Sequence, residues 1–302
     1  LRAHVLAYRL VHRIYREQGW ASPTVTCNSW CAANYSMDKI WQDLFLVRHH
    51  GVGQADVPAF LAKQRAAHQA LFRTVPYRVG PQALKRGLEA GLDRLLRGAL
   101  GNNPPLAGLV GDIYSSDDGA AGPGGRLVDA VSFDLYDPFI FNNLDWGFPR
   151  LVHPRIAPWE WGLCPEALLP AVQSYHQTGR GLPIHLLEHG MAVCGDKEGP
   201  VTPHRDGTRR DDALKRVMLA MVETLKAGLP LEAFYYWSLV DNYEWGSFRP
   251  RFGLFSVDYA NGAQRLKTDA LGVNAAGCYR LFIEAFRARD TNALRAAFAA
   301  TT

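Results

Sequence analysis

Apolar side chains recur at two periods along this chain, and the two periods alternate. Leu1, Val5, Tyr8, Val11 and Tyr15 stand three and four apart, the spacing of one helix face, and Gly19 follows as a stop. SPTVTCNSW, 22–30, places β-branched residues after a Pro break and reads as a strand. Residues 55–72 and 81–100 return to the helical period, and in the second Leu84, Leu88, Leu92, Leu95 and Leu96 share a face. Residues 101–126 are dense in Gly, Pro, Asn, Asp and Ser and read as a surface loop. LVDAVSFDLY, 127–136, reads as a second strand. Pro165 opens a helix that Gly179 closes. LPIHLLE, 182–188, is the third strand. Asp211 or Asp212 is expected to cap a helix carrying Leu214, Val217, Met218, Met221 and Leu225, with Gly228 after it. EAFYYWSLV, 232–240, is the fourth strand, and a last helix is expected near 275–288.

Mostly apolar strands, each followed by a helix, imply an α/β fold with a parallel sheet covered on both faces. A doubly wound sheet and an eight-stranded α/β barrel both satisfy that order. GVGQAD, 51–56, lacks the preceding strand that a dinucleotide turn requires, so it is discounted. Polar and aromatic residues gather at strand ends: Asn28 and Trp30, Asp134 and Tyr136, Glu188, and Trp237 with 241–245. Chemistry delivered by several strand ends points to the C-terminal face of a barrel.

Bulk properties narrow the function classes. The 302 residues are 48% hydrophobic and 21% charged, ordinary for one large domain spanning 1–302. A net charge of +4 is too weak to argue for a nucleic-acid partner. The densest basic run, His204 to Arg216, also holds Asp206, Asp211 and Asp212, and reads as a solvated loop and helix start. Five scattered cysteines imply neither a disulfide framework nor a metal site, and favour a reducing, cytoplasmic setting. No apolar run has membrane-spanning length. The chain opens with Leu inside a helical pattern and without a cap, so we expect it to continue a longer one.

The stretch YYWSLVDNYEWGSFRPRFGLFSVDY, 235–259, concentrates aromatics around carboxylates. Any single Trp there would be an ordinary core residue. Together, Trp237, Trp245 and Phe252 offer flat apolar faces, while Asp241, Asn242 and Glu244 offer hydrogen-bonding groups. A sugar presents apolar C–H faces and a rim of hydroxyls, and needs that mixture.

These residues resemble family 1 of the glycoside hydrolases, the β-glucosidases and their relatives. The family motif W-S-L-x-D-N-x-E-W, followed by R-F-G-L and V-D-Y, is matched by WSLVDNYEW and RFGLFSVDY. The family nucleophile closes a strand in I-T-E-N-G, which LLEHG matches with Glu188 in that position. WGLCPEAL, 161–168, resembles the W-x-x-x-P-x-x-L before that strand. DAVSFDLYDP, 129–138, resembles the D-F-x-G-x-N-Y-Y strand, with Tyr136 on the tyrosine that bonds the nucleophile. The likeness is closest from 127 onward and looser over 20–126.

The resemblance implies a (β/α)8 TIM barrel, present here as its C-terminal part, about strands 5–8. It implies hydrolysis of β-glycosides with retention, by two carboxyls about 5–5.5 Å apart. Glu188 would be the nucleophile and Tyr136 its orienting group. Trp237 would stack under the sugar, Glu244 would bind O4 and O6, Trp245 would meet O3, and Phe252 would add an apolar wall. No cofactor and no metal are implied. The partner is a small β-glycoside or oligosaccharide, with no nucleic acid and no membrane. A carboxylate at Glu244 would repel a 6-phosphate, so a plain glycoside is expected.

Departures from the family pattern are informative. Leu187 replaces Thr, His189 replaces Asn, Asp134 replaces Asn and Leu135 replaces Tyr. His189 either lowers the pKa of Glu188 when protonated or bonds a neighbouring loop. The family's T-x-N-E-P, which carries the acid/base Glu, has no counterpart among the 302 residues. The expectation is a C-terminal fragment of a β-glycosidase whose acid/base Glu lies before Leu1, so that the 302 residues by themselves would hydrolyse aryl β-glucosides far more slowly than an intact enzyme. The alternative is a non-catalytic or decayed sugar-binding relative.

Overall fold

The computed structural model describes residues 1–77, 81–101, 104–115, 125–142, 162–195, 201–204 and 206–299. The first half is helical: α1 (Arg2–Glu17), α2 (Lys39–Leu46), α3 (Val57–Phe72), α4 (Gln82–Gly101) and α5 (Pro104–Tyr114). The second half alternates. Strand β1 (Val131–Asp134) precedes α6 (Leu168–Thr178), β2 (Ile184–His189), the short β3 (Val193–Cys194), α7 (Arg210–Lys226) and β4 (Leu231–Tyr236). Two-residue strands β5 (Pro250–Arg251), β6 (Val257–Asp258) and β7 (Gln264–Arg265) follow, then α8 (Ala275–Ala288) and α9 (Thr291–Ala299).

The α/β expectation holds in the form of a three-stranded parallel sheet of order β1-β2-β4. Phe133, Ile184 and Leu186 are buried in it, and Phe133 stacks on Tyr175 of α6 with ring centroids 4.7 Å apart. Helix α6 packs on β2 and α7 on β4, with α6 also against α3 and α7 against α8. Burying an aliphatic side chain in such a core contributes ~1.5–3 kcal/mol, so these contacts dominate the fold's stability. All three strands run the same way, so their C-terminal residues Asp134, His189 and Tyr236 meet at one edge. In open parallel sheets that edge is where ligands bind.

Several expectations need correction. Residues 22–30 do not form a laddered strand; only Trp30 bridges Asp134, in parallel. Side chains take the place of the ladder. Thr26 Oγ1 donates to the carbonyl of Ala130 at 2.7 Å, and the Gln42 amide donates to the carbonyls of Cys27 and Ser132. The backbone still touches β1, through Asp134 N–H to Ser29 O at 2.7 Å and Cys31 N–H to Asp134 O at 2.9 Å.

The expected loop 101–126 contains α5, with Leu109 and Ile113 four residues apart and buried; this helix packs on α1. Its Gly and Pro content masked that spacing, and Pro104 sits at the helix start, where Pro is tolerated. Residues 116–124 of that stretch lie outside the described residues. So does Trp161 of WGLCPEAL. Helices α2 and α9 were not expected from the pattern.

Helix α4 keeps only part of its expected face: Leu88, Leu92 and Leu96 are half-buried, Leu84 and Leu95 are exposed, and Lys85 and Asp93 are buried. Asp93 accepts from Ser36 Oγ at 2.7 Å and from Arg97 at 3.0 Å, so the helix packs polar groups against the turn at 35–37. Helix α7 is not capped by Asp211 or Asp212: its N-cap is Arg209, and both carboxylates stand in the first turn, where they favour the helix dipole.

Candidate active site

The ladder between β1 and β2 pairs Val131 with Ile184, Ser132 with His185 and Phe133 with Leu186, then skips Leu187 to pair Asp134 with Glu188. An extra residue in one strand re-aims the side chains beyond it. The skip therefore sets Glu188, rather than Leu187, level with Asp134. Leu135 N–H donates to Glu188 O at 2.9 Å and fixes that register.

Glu188 opens into a cavity of about 350 Å³ lined by Trp30, Asp134, Tyr136, Gly190, Ala192, Trp237, Glu244, Trp245 and Phe252. All six residues expected from the sequence, Glu188, Tyr136, Trp237, Glu244, Trp245 and Phe252, thus border one space. Trp30 and Asp134 join them. The sequence signal for these two was their position at strand ends. Ala192 and Gly190 carried no chemical signal.

Contacts inside the cavity set its electrostatics. Tyr136 O–H donates to Glu188 Oε2 at 3.2 Å. Burial raises the Glu188 pKa and the charge of Glu244 raises it further, against the opposing Tyr136 bond. Asp134 is pushed up to about 7, first by burial and then by the charge of Glu188, while Asn28 opposes through a 2.7 Å bond to Oδ2. Burial and both carboxylates drive the Tyr136 phenol far above its ordinary value, so it stays a donor.

On the opposite wall, Trp237 Nε1–H donates to Glu244 Oε1 at 2.5 Å and Asn242 Nδ2 donates to the same oxygen at 3.0 Å. Glu244 and Ser247 exchange backbone hydrogen bonds of 2.8 and 3.0 Å, closing a turn in which Trp245 takes a left-handed conformation, φ 51°. The Trp245 side chain is 65% exposed and stands at the cavity mouth.

Close backbone approach explains one glycine. A Cβ on Gly190 would come within 1.8 Å of the Trp237 carbonyl oxygen, so any other residue would push the end of β4 away from β2.

One expectation about this region changes, and one open alternative is decided. Asp241 does not line the cavity: its carboxylate accepts from Gly253 N–H at 2.8 Å, Ser256 Oγ at 2.7 Å and Val257 N–H at 3.2 Å, so it holds its own loop. His189 is buried with Nδ1 2.6 Å from the carbonyl oxygen of Leu135. A carbonyl only accepts, so Nδ1 carries the proton. Burial lowers the His189 pKa to about 4, so the ring is neutral near pH 7 and supplies no charge to Glu188.

The basic run expected to be solvated contributes a buried hub. Arg210 is fully buried and pairs with Asp269 at 3.0 Å. Its guanidinium also donates to the carbonyls of Met191, Arg251 and Phe252 and to the Tyr236 hydroxyl. It thus ties the loop after β2 to the loop after β4. The antiparallel pair β3–β5 joins the same loops through Val193 and Arg251.

Among the described residues, no group of three or more His, Cys, Asp or Glu is arranged for a metal ion. No described helix is long and apolar enough to cross a membrane. All five cysteines are free thiols.

Comparison with known proteins follows the cavity-lining motifs. The sequence model for glycosyl hydrolase family 1 matches residues 151–271. A stretch of 155 residues is 33% identical to the bifunctional β-D-glucosidase/β-D-fucosidase of Bifidobacterium breve, covering 49% of this chain and 31% of that protein. Another of 116 residues is 28% identical to a 6-phospho-β-galactosidase of Lacticaseibacillus rhamnosus, covering 37% of this chain and 24% of that protein. The matched stretches thus span under a third of these relatives' lengths. In fold, the chain is similar to a β-glucosidase from Thermotoga maritima in complex with deoxynojirimycin, with a TM-score of 0.50 over 93% of this chain and 54% of that one at 17% identity.

Proposed function

We propose that this relative of glycosyl hydrolase family 1 is β-glycosidase-like, acting on plain β-glycosides with retention through Glu188 as nucleophile. The observation that carries the reading is the Tyr136–Glu188 pair inside a cavity walled by Trp237, Trp245 and Phe252. Glu188 attacks the anomeric carbon as the bond to the aglycone oxygen breaks, giving a glycosyl ester and the released aglycone; water then hydrolyses the ester, freeing the sugar and restoring the carboxylate. The Tyr136 hydroxyl fixes the carboxylate's orientation. Trp237 offers a flat face to the sugar ring, and Phe252 completes the apolar wall. Trp245, at the mouth, can present its indole N–H to a ring hydroxyl. Glu244 has one oxygen held by Trp237 and Asn242, which positions the carboxylate to accept from sugar hydroxyls. The same charge disfavours a 6-phosphate by like-charge repulsion, which supports a plain glycoside.

The test is covalent trapping. A 2-deoxy-2-fluoro-β-glucoside with a dinitrophenyl leaving group reacts with the nucleophile alone, because its leaving group needs no proton. Peptide mapping by mass spectrometry is expected to place the adduct on Glu188, and Glu188→Gln to abolish it. Leu187 and His189 beside the nucleophile favour a second reading, a sugar-binding relative without turnover. Glucose binding by calorimetry without any adduct would select that reading.

A further inference from the structure

We infer that a second pocket, between α3 and α4, binds a small zwitterion: an amino acid whose ammonium meets Glu89 and whose carboxylate meets Arg73 and Arg86. The pocket measures about 140 Å³. Phe72, Tyr77 and Phe139 wall it, and Arg73, Arg86 and Glu89 bring charge to it. It shares no lining residue with the cavity at Glu188. Trp30 and Tyr136 line that cavity, and further along the same two segments Ala33 and Phe139 line the pocket. Ala33 N–H donates to the Pro138 carbonyl at 2.8 Å and keeps the two segments side by side.

Opposite charges border this space without meeting. Both carboxylate oxygens of Glu89 are buried and have no hydrogen-bond partner among the described residues. Buried polar groups are ordinarily bonded, and leaving a carboxylate unmet is costly. Burial raises the Glu89 pKa to about 7; Asn34 and the Phe141 N–H oppose this from outside hydrogen-bonding geometry, while the charges of Asp137 and Asp93 add to it. Arg86 stands three residues before Glu89 on α4, a spacing at which helical ion pairs form. Its guanidinium turns elsewhere: it donates to the Arg73 carbonyl at 3.0 Å and lies 5.6 Å from the Tyr77 ring centroid. Arg73, at the C-cap of α3, is exposed and does not bond Glu89 either. Asp93, the other acid of the wall, already accepts from Ser36 and Arg97. Glu89 is therefore the acid of the pocket left without a partner, and the two arginines are its cations.

This arrangement selects a ligand with two charged ends. A simple amine would meet Glu89 but leave two guanidiniums facing a like charge. A simple carboxylate would meet the arginines and be repelled by Glu89. An amino acid satisfies both ends with charge-assisted hydrogen bonds, and its ammonium would return Glu89 to the charged form. A cavity of ~150 Å³ holds a molecule the size of benzene, so the ligand has about six heavy atoms. The aromatic walls suit a short methylene chain between the two ends.

The experiment is calorimetric titration of the 302-residue chain. The probes are glycine, β-alanine and 4-aminobutyrate, whose charged ends stand progressively farther apart, with n-butylamine and butyrate carrying one end each. At least one amino acid is expected to bind saturably, one per chain, and about tenfold or more tighter than either single-ended probe. Glu89→Gln keeps the side chain's size and is expected to weaken that amino acid about 10- to 150-fold. Arg73→Gln, at an exposed position, is expected to weaken it toward the level of n-butylamine. Glu188→Gln is expected to leave it unchanged, which separates the pocket from the cavity. Thermal melts by circular dichroism report whether each variant is folded, and the comparison of probes on the wild-type chain decides without any variant. The inference is overturned if no amino acid binds saturably, in which case water alone serves Glu89. It is also overturned if n-butylamine or butyrate binds as tightly, if folded Glu89→Gln or Arg73→Gln binds as the wild type does, or if folded Glu188→Gln loses the ligand.

Discussion

Tyr136 reaches Glu188 across neighbouring strands, its hydroxyl donating to Oε2 at 3.2 Å. It opposes the burial and the Glu244 charge that raise the Glu188 pKa. Tyr136→Phe keeps the ring's packing and deletes only the donor. A hydrogen bond to a charged group contributes ~1.5–3 kcal/mol, so kcat/KM on an aryl glucoside is expected to fall about 10- to 150-fold. The acid limb of the profile is expected to move to higher pH, since the carboxylate loses its stabilising donor. An unmoved limb in a titration of kcat/KM would count against this role.

Glu244 acts on Glu188 in the opposite sense. Its negative charge raises the Glu188 pKa, so Glu244→Gln is expected to move the acid limb to lower pH. The same substitution weakens the acceptor offered to sugar hydroxyls, and KM is expected to rise about tenfold or more through the loss of charge-assisted bonds. Relief of repulsion is expected to improve binding of 6-phosphoglycosides relative to plain ones. Competition assays with glucose and glucose 6-phosphate read this ratio directly.

Much of this site was legible because its chemistry lies at strand ends and in an aromatic cluster. Glu188, Trp237 and Phe252 announce themselves by type and position, and the cavity brings them together. The bulge at Leu187 was not legible, since the apolar run through 182–187 reads the same in or out of register. Asp134 was visible at a strand end and as a departure from the family asparagine, but its pairing with Glu188 depends on that bulge. Arg210 was hidden for another reason. In sequence it is one cation among several in a polar run, and only the tertiary packing of Met191, Arg251 and Phe252 around it makes it a core residue. Helix α4 was legible in part: Leu88, Leu92 and Leu96 do turn inward, but the turn at 35–37 offers polar partners, and Asp93 shares the buried face with them.

Arg210 holds the cavity's two loops together, and its removal is expected to cost far more than a surface arginine. Arg210 and Asp269 are both fully buried. Deleting one partner of such a pair destabilises by ~3–5 kcal/mol, because the other charge is left without compensation. Arg210→Ala is expected to lower the urea midpoint by that equivalent, and the carbonyls of Met191 and Phe252 lose their donor at the same time. Arg210→Lys keeps a charge but not the forked geometry and is expected to recover only part of the loss. If both variants unfolded at the wild-type urea concentration, the hub would have no energetic role.

The raised pKa of Asp134 carries a stability prediction. Its folded value is about 7 against 3.8 for an ordinary aspartate carboxyl. Between those two values the folded chain holds a proton there that the unfolded chain has released. Stability therefore falls as pH rises through that interval, since the unfolded state binds fewer protons. Asp38, raised to about 7 by burial, contributes in the same direction. Buried His189 acts oppositely, because its folded value of about 4 makes the native state lose stability as pH falls below the ordinary imidazole value of 6.5. Asp134→Asn removes one ionisation and leaves the others. Its melting temperature is expected to stand closer to, or above, that of the wild type at pH 8 than at pH 4. A difference between the two proteins that stays constant from pH 4 to pH 8, measured by calorimetry, would show that Asp134 ionises alike in the folded and unfolded chain.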